Sequence, residues 1–330
     1  MPDIKILTES ELRNLVRLDI DIINCIESAF KTLAGGKVVM PPILSMGIHD
    51  FNGEVDVKTA YVPGLKSFAI KMSPGFFDNP KLGIPSTSGL MVLFSSKTGV
   101  LEALLLDNGY LTDIRTAAAG AVAARHLSRD NVESACIIGS GNQAELQLKA
   151  LNLVRPLKKA IIWGRDPDKA SKLAKKLSIE MDIQVISDNN IEKSVAISDI
   201  VVTTTPSNKP LIKSDWLKPG QHITAMGSDQ NNKCELEASC ITKSNYYIPD
   251  YQAQTEILGE LRPALETGLL SKDVKFDELG DIILDKGKGR KSKQDITIAD
   301  LTGTGMQDTA IATFANERAD EVGIGSKFKN

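Results

Sequence analysis

The stretch Cys136-Ile137-Ile138-Gly139-Ser140-Gly141-Asn142-Gln143-Ala144 constrains the fold more than any other part of the chain. A short apolar run ends in two glycines one residue apart, and a helical pattern begins at once with Glu145. Gly139 permits a tight turn, the bare Gly141 lets a pyrophosphate approach the backbone, and the helix start offers free N–H donors with a partial positive charge. A glycine pair alone is a weak signal. Placed between strand and helix, at the head of a series of such units, it points to a dinucleotide.

That series is present. From Val132 the runs SACIIG, KKAIIWG, IQVIS, DIVVTTT, HITAMG and NYYI alternate with helical stretches, which predicts a parallel sheet covered on both faces. ITIADLTG adds a final strand, and DTAIATFANERADEVG a final helix expected to return to the first half of the chain.

The first half has another rhythm. Thr8 and Glu11 have capping-box spacing, apolar residues recur through Ile20, Ile23, Ile26 and Phe30, and Gly35-Gly36 ends the run, so a helix pair is predicted over Thr8 to Ala34. VDVKTAYV, SFAIKM, SGLMVLFS and VLEALLLD, separated by turn signals, then predict an antiparallel meander. LTDIRTAAAGAVAARHL predicts an Ala-rich helix. A length of 330 residues suits two domains. The fold class expected is α/β: a Rossmann dinucleotide-binding domain over 128–307, plus an α+β domain with antiparallel sheet over 1–127 and 308–330.

Composition excludes several functions. Acidic residues (42) nearly balance basic ones (39), so no field attracts nucleic acid or an anionic membrane. Cys25, Cys136, Cys234 and Cys240 form no CxxC pair, which argues against a disulfide framework or zinc site and fits a reducing cytoplasm. The start MPDIKILTESELRN lacks a basic region followed by an apolar stretch, and no run reaches the roughly 18 apolar residues of a membrane helix, so neither export nor a membrane anchor is expected. Three scattered histidines leave no metal site expected. KGKGRKSK, without aromatic interleaving, reads as a mobile surface loop rather than a phosphate site.

Where the strand KKAIIW ends, an acidic residue normally grips the ribose 2′-hydroxyl, but here Gly164-Arg165 follows. Arg165 suits a 2′-phosphate and favours NADP, while the neighbouring Asp166 keeps NAD open.

The ordered set IKMSPG, GIPSTSG, LTDIRTAAAGAVAARHL, IIGSGNQA, VVTTTPS, AMGSDQ and LTGTGMQD resembles the ornithine cyclodeaminase/mu-crystallin family over nearly the whole chain. Within it, NGEVDVKTAYVPG through LLLDNGYLTDIRTAAAG is most similar to the cyclodeaminase-type proteins of ectoine utilisation. The resemblance implies an N-terminal substrate-binding and dimerisation domain, completed by the C-terminal helix, and a homodimer. It implies nicotinamide-dependent hydride exchange at the Cα of amino acids, with ring closure and ammonia release, imine reduction or amino-acid oxidation as the outcomes.

An amino-acid substrate needs cationic donors for its carboxylate, and the matching positions are Lys71 and Arg115. Asp229, just beyond HITAMG, falls where a carboxylate could take the proton of the substrate amine or stabilise an iminium as hydride leaves. Asp229 and Lys71 are the catalytic candidates. The resemblance places Ser86 or Thr87, together with Thr302 and Gly303, beside the substrate. It assigns Thr116, Gly139, Ser140, Gly141, Asn142, Gln143, Arg165, Thr204, Thr205, Pro206, Met226, Gly227 and Ser228 to the cofactor. Ornithine cyclodeaminases carry an Arg directly after the proline pair near Pro41-Pro42; here Ile43 stands there, which argues against ornithine as substrate. Three functions follow: a cyclodeaminase acting on a small diamino acid, an imine or ketimine reductase, or a binding protein of the mu-crystallin kind.

Overall fold

The computed structural model describes residues 3–329. Along the chain run β1 (Ile4–Thr8), α1 (Glu9–Leu15), α2 (Ile20–Ala34), β2 (Leu44–Ile48), β3 (Gly53–Ala60), β4 (Ser67–Phe76), β5 (Leu90–Ser95), β6 (Leu101–Leu106) and α3 (Tyr110–Leu127). Then come β7 (Ser134–Ile138), α4 (Asn142–Val154), β8 (Lys159–Trp163), α5 (Pro167–Glu180), β9 (Gln184–Ser187), α6 (Ile191–Ala196), β10 (Ile200–Thr203) and β11 (His222–Ala225). Next are α7 (Ser239–Lys243), β12 (Tyr246–Pro249), α8 (Gln252–Thr255), α9 (Leu261–Glu266), α10 (Leu279–Ile283) and β13 (Thr297–Asp300). The chain ends with α11 (Gly305–Val322) and β14 (Ser326–Phe328). It divides into two units, 1–115 with 304–330 and 116–303, so one boundary falls inside the continuous helix α3.

In the first unit the capping box forms: the Thr8 amide donates to Glu11 Oε2 at 2.8 Å and starts α1. Asp19 caps α2, whose Ile22, Ile23, Ile26 and Phe30 are buried. The sheet order is β14-β1-β6-β5-β4-β3-β2. Strands β2 to β6 form an antiparallel meander, but β1 pairs parallel with β6, so the sheet is mixed rather than antiparallel. β1 escapes sequence reading because its five residues run straight into the helix cap, and β14 because its three residues are exposed. α11 packs against β4, β3 and α2. Its first residue must be small: a Cβ on Gly305 would fall 2.3 Å from the Thr59 carbonyl oxygen.

In the second unit all seven strands pair parallel, in the order β12-β13-β11-β10-β7-β8-β9. Alternate side chains fill the two faces. Ile137, Ile162 and Val202 pack with Leu148 and Leu173, whereas Cys136, Ile138, Val201 and Ile223 pack with Leu261 and Ile241. Burial on both faces explains the uninterrupted apolar runs of the sequence.

Most of the segment KGKGRKSK is exposed, but Arg290 within it is held by the protein. The Arg290 guanidinium donates to the carbonyls of Leu127 (2.7 Å) and Gln221 (2.9 Å) and to Thr297 Oγ1 (3.0 Å). A planar fork of donors can brace several carbonyls at once, and charge counting along the sequence does not reveal that role. Among the described residues no helix is long and apolar enough to cross a membrane.

Candidate functional site

At the carboxyl edge of the parallel sheet, β7 ends in Gly139, whose φ of +135° is a conformation that side chains rarely adopt. A Cβ there would also lie 2.2 Å from Thr204 Oγ1 at the end of β10. A Cβ at Gly141 would meet nothing within 4 Å, so the loop has open space beside it. α4 begins at Asn142 without a side-chain cap, which leaves first-turn N–H groups facing outward. Asn142 is exposed, and Ser140 and Gln143 are half-buried.

Gly164 lies close to this loop, since a Cβ on it would come 2.9 Å from Ser140 Oγ. Arg165 follows, exposed. Asp166 is committed elsewhere: its carboxylate accepts the amides of Asp168 (3.1 Å) and Lys169 (3.2 Å) and caps α5.

The remaining cofactor candidates sit at the ends of β10 and β11, apart from Thr116 in α3. Thr205 is bound through its amide and hydroxyl, and Gly227 through its amide, to the Glu235 carboxylate. Pro206 is exposed. Gln147 Nε2 reaches both the Thr116 carbonyl (3.0 Å) and the buried Met226 Sδ (2.6 Å). The Ser228 hydroxyl donates to the Lys233 carbonyl at 2.9 Å, so it faces protein. Asp229 Oδ1 lies 2.7 Å from Lys233 Nζ. Asp250, just past β12, accepts the Thr302 hydroxyl (3.0 Å) and the Gly303 amide (2.8 Å).

The first unit holds a buried ion cluster. Lys71 Nζ on β4 lies 2.9 Å from Asp308 Oδ2 on α11, and Arg115 Nε on α3 lies 2.9 Å from Asp308 Oδ1. Arg115 Nη1 donates to Gln307 Oε1 at 3.0 Å. Lys58 stands opposite Lys71 in the β3–β4 register. Lys71, Arg115 and Asp308 are 2, 5 and 0% exposed. Burial, opposed by Asp308, brings the Lys71 ammonium down to about 7. Burial alone would raise Asp308, but Arg115 and Lys71 outweigh it and hold the carboxyl below its usual range. Asp107, also buried, is pushed up to about 6 by desolvation, and its Oδ1 meets no donor among the described residues.

Lys71 and Arg115 therefore converge, but on a shared protein carboxylate that sequence reasoning missed. Asp308 closes the motif LTGTGMQD, and the motif was its only signal. Ser86 and Thr87 lie on the link from β4 to β5, where the Ser86 carbonyl accepts the Phe76 amide at 2.7 Å and Thr87 bridges Gly75. Ser86 is half-buried and Thr87 exposed, and Ile43 stands half-buried directly before β2. Asp229 and Lys71, the two catalytic candidates, belong to different units.

The sequence profile of the ornithine cyclodeaminase/mu-crystallin family matches residues 3–323. A Sinorhizobium fredii protein described as an uncharacterized cyclodeaminase is 55% identical over 100% of both chains. An archaeal alanine dehydrogenase dimer with bound NAD superposes with a TM-score of 0.91 at 31% identity, covering 99% of each chain. The Δ1-pyrroline-2-carboxylate reductase of Thermococcus litoralis, in complex with NADH and L-proline, gives a TM-score of 0.92 at 28% identity, covering 98% of this chain and 99% of that one.

Proposed function

The chain belongs to the ornithine cyclodeaminase/mu-crystallin family, and from that premise we propose that it is a nicotinamide-dependent enzyme acting at the Cα of a small amino acid, a cyclodeaminase that closes a diamino acid into a ring with loss of ammonia. The observation that carries this reading is the Lys71–Asp308–Arg115 cluster: two buried cations converge on one carboxylate, a grouping of donors suited to an anionic substrate group. An α-carboxylate is such a group, and the Arg115 fork suits it.

The residues at the sheet edge fit a dinucleotide. Gly139 fits only without a Cβ, the space beside Gly141 is open, and the uncapped start of α4 can take a pyrophosphate. Thr204, Thr205 and Gly227 would flank the nicotinamide, and Arg165 would meet an adenosine 2′-phosphate, although both solved relatives hold NAD or NADH. The bound nicotinamide supplies hydride uptake and return at Cα. The protein's part is to hold and deprotonate the substrate. Within the first unit Lys71 and Arg115 would take the α-carboxylate, with Ser86 or Thr87 beside the substrate. The parts of Thr302 and Gly303 in bordering the substrate, and of Asp229 in taking the amine proton, rest on the family's sequence pattern. With Ile43 where the family's third carboxylate ligand stands, a diamino acid shorter than ornithine, such as 2,4-diaminobutyrate, is the proposed substrate, in line with ectoine breakdown.

A homodimer is part of the proposal. The edge strand β2 exposes Leu44 and Met46, and the segment after β4 exposes Phe77, Leu82 and Ile84, a set that a second copy would cover. The four free cysteines support a reducing, cytoplasmic setting.

A second reading, reduction of a cyclic imine, is favoured by Lys71 itself. An ammonium brought down to about 7 can give up its proton at neutral pH, as imine reduction requires. Absorbance at 340 nm during a screen of diamino acids with NAD or NADP, and of cyclic imines with NADH or NADPH, tests the proposal. Turnover or a nucleotide-dependent product with a diamino acid supports it, and silence with every amino acid and imine contradicts it.

A further inference from the structure

Three buried acids in the second unit form a ladder in which each carboxylate accepts the backbone N–H of the next member. Asp300, at the end of β13, accepts the Glu260 amide at 2.8 Å. Glu260 accepts the Glu235 amide at 2.8 Å and the Leu236 amide at 3.1 Å. Glu235 in turn accepts four donors: Thr203 Oγ1 (2.6 Å) and the Gly227 amide (2.8 Å) on Oε2, and the Thr205 amide (2.6 Å) and hydroxyl (2.7 Å) on Oε1. The three acids are 1, 1 and 0% exposed, in that order.

Such a ladder is costly to bury. Desolvation lifts Glu260 to about 8 and Asp300 to about 7, and it raises Glu235 as well. Apolar side chains of similar volume would usually be no worse for stability. What the ladder provides is position. It fixes the loops after β10 and β11 to one another through Glu235 and ties both to the end of β13. Gly227 shows how close the fit is, since a Cβ there would lie 2.1 Å from the Thr205 carbonyl oxygen and 2.6 Å from the Glu235 carboxylate.

We propose that Glu235 is a positioning residue for the nicotinamide half of the nucleotide, setting the Thr205 and Gly227 loops through its two carboxylate oxygens. Glu260 and Asp300 hold Glu235 in place. The inference rests on the nucleotide reading above and adds a residue whose two carboxylate oxygens are both taken by protein donors.

Glu235→Gln isolates the role. One oxygen becomes an NH2 group that faces backbone or hydroxyl donors, so one of the two loops loses its anchor. The test titrates NADH and NADPH into the full-length protein by fluorescence, alongside Asp199→Asn. Asp199 accepts the Ser134 and Glu133 amides, each at 3.0 Å, at the opposite edge of the same sheet, and its loss controls for general destabilisation. Glu235→Gln is expected to weaken nucleotide binding at least about tenfold, as for lost hydrogen bonds to a charged group, with Asp199→Asn within about twofold of wild type. Unchanged binding in Glu235→Gln, or an equal loss in both variants, overturns the proposal. If Glu235→Gln does not fold, Glu260→Gln is expected to give a smaller loss in the same direction, and no loss there overturns the proposal. Failure of the wild type to bind either nucleotide overturns the functional reading itself, an outcome separate from the other two.

Discussion

Lys71 and Asp308 form a contact of 2.9 Å between side chains that are 3 and 0% exposed, one on a central strand and the other on the helix that returns from the far end of the chain. The pair, with Arg115, makes the C-terminal helix part of the candidate substrate site. Asp308→Asn leaves two buried cations without their carboxylate. Its expected cost is about 3 to 5 kcal/mol of stability, read by urea unfolding. A loss below about 1 kcal/mol, the scale of an exposed pair, would show that the cluster is not dry in solution.

Lys71→Met removes one cation and leaves Asp308 paired with Arg115. The fold should survive and nucleotide binding should persist, while KM for the amino acid rises by about tenfold or more, the worth of a charged hydrogen bond. Steady-state kinetics with a nucleotide titration separates these outcomes. An unchanged KM would remove Lys71 from the substrate site.

The same lysine sets a pH dependence. Its ammonium, brought down from 10.5 to about 7, is charged below that pH and neutral above it. Affinity for the substrate carboxylate should therefore fall as pH rises through about 7. In Lys71→Arg, which stays charged, that limb should move to higher pH in the kcat/KM profile. An identical limb in both proteins would assign it to another group.

Stability should respond to the buried acids. Glu260 and Asp300 are raised from 4.5 and 3.8 to about 8 and 7, so each binds its proton more tightly folded than unfolded. Their contribution is fully present below the ordinary carboxylate range and is lost as pH rises through 7 and 8. Tm should decline over that window, and the decline should be shallower in Glu260→Gln. Parallel profiles would show that Glu260 titrates normally.

Arg165 bears on nucleotide choice. Arg165→Ala should weaken NADPH by about 1.5 to 3 kcal/mol, the value of a charge-assisted contact, and leave NADH nearly untouched. Equal losses for both nucleotides would dismiss a 2′-phosphate contact.

Much of the architecture was legible because it repeats locally. The strand-to-helix glycine turn, the parallel strands of the second unit and the Thr8–Glu11 cap each lie within a few residues of sequence and appear as read. The parallel pairing of β1 with β6 was hidden, because it joins segments far apart in the chain and β1 merges with a helix cap. Asp308 and Glu235 were missed for a related reason. A carboxylate that serves by accepting from distant elements leaves no spacing behind. Arg290 looked like one charge among five and proved to be a brace, because burial rather than neighbourhood in sequence decides what a guanidinium does.

The cyclodeaminase proposal is tested most directly by counting ammonia against nucleotide. A reaction that takes hydride from Cα and returns it regenerates the oxidised nucleotide each cycle, so traces suffice. With 2,4-diaminobutyrate and substoichiometric NAD or NADP, the account predicts several ammonia molecules per nucleotide and no lasting change at 340 nm. Ammonia that never exceeds the nucleotide supplied, together with stoichiometric consumption of NADPH by pyrroline-2-carboxylate, would contradict it and establish the reductase.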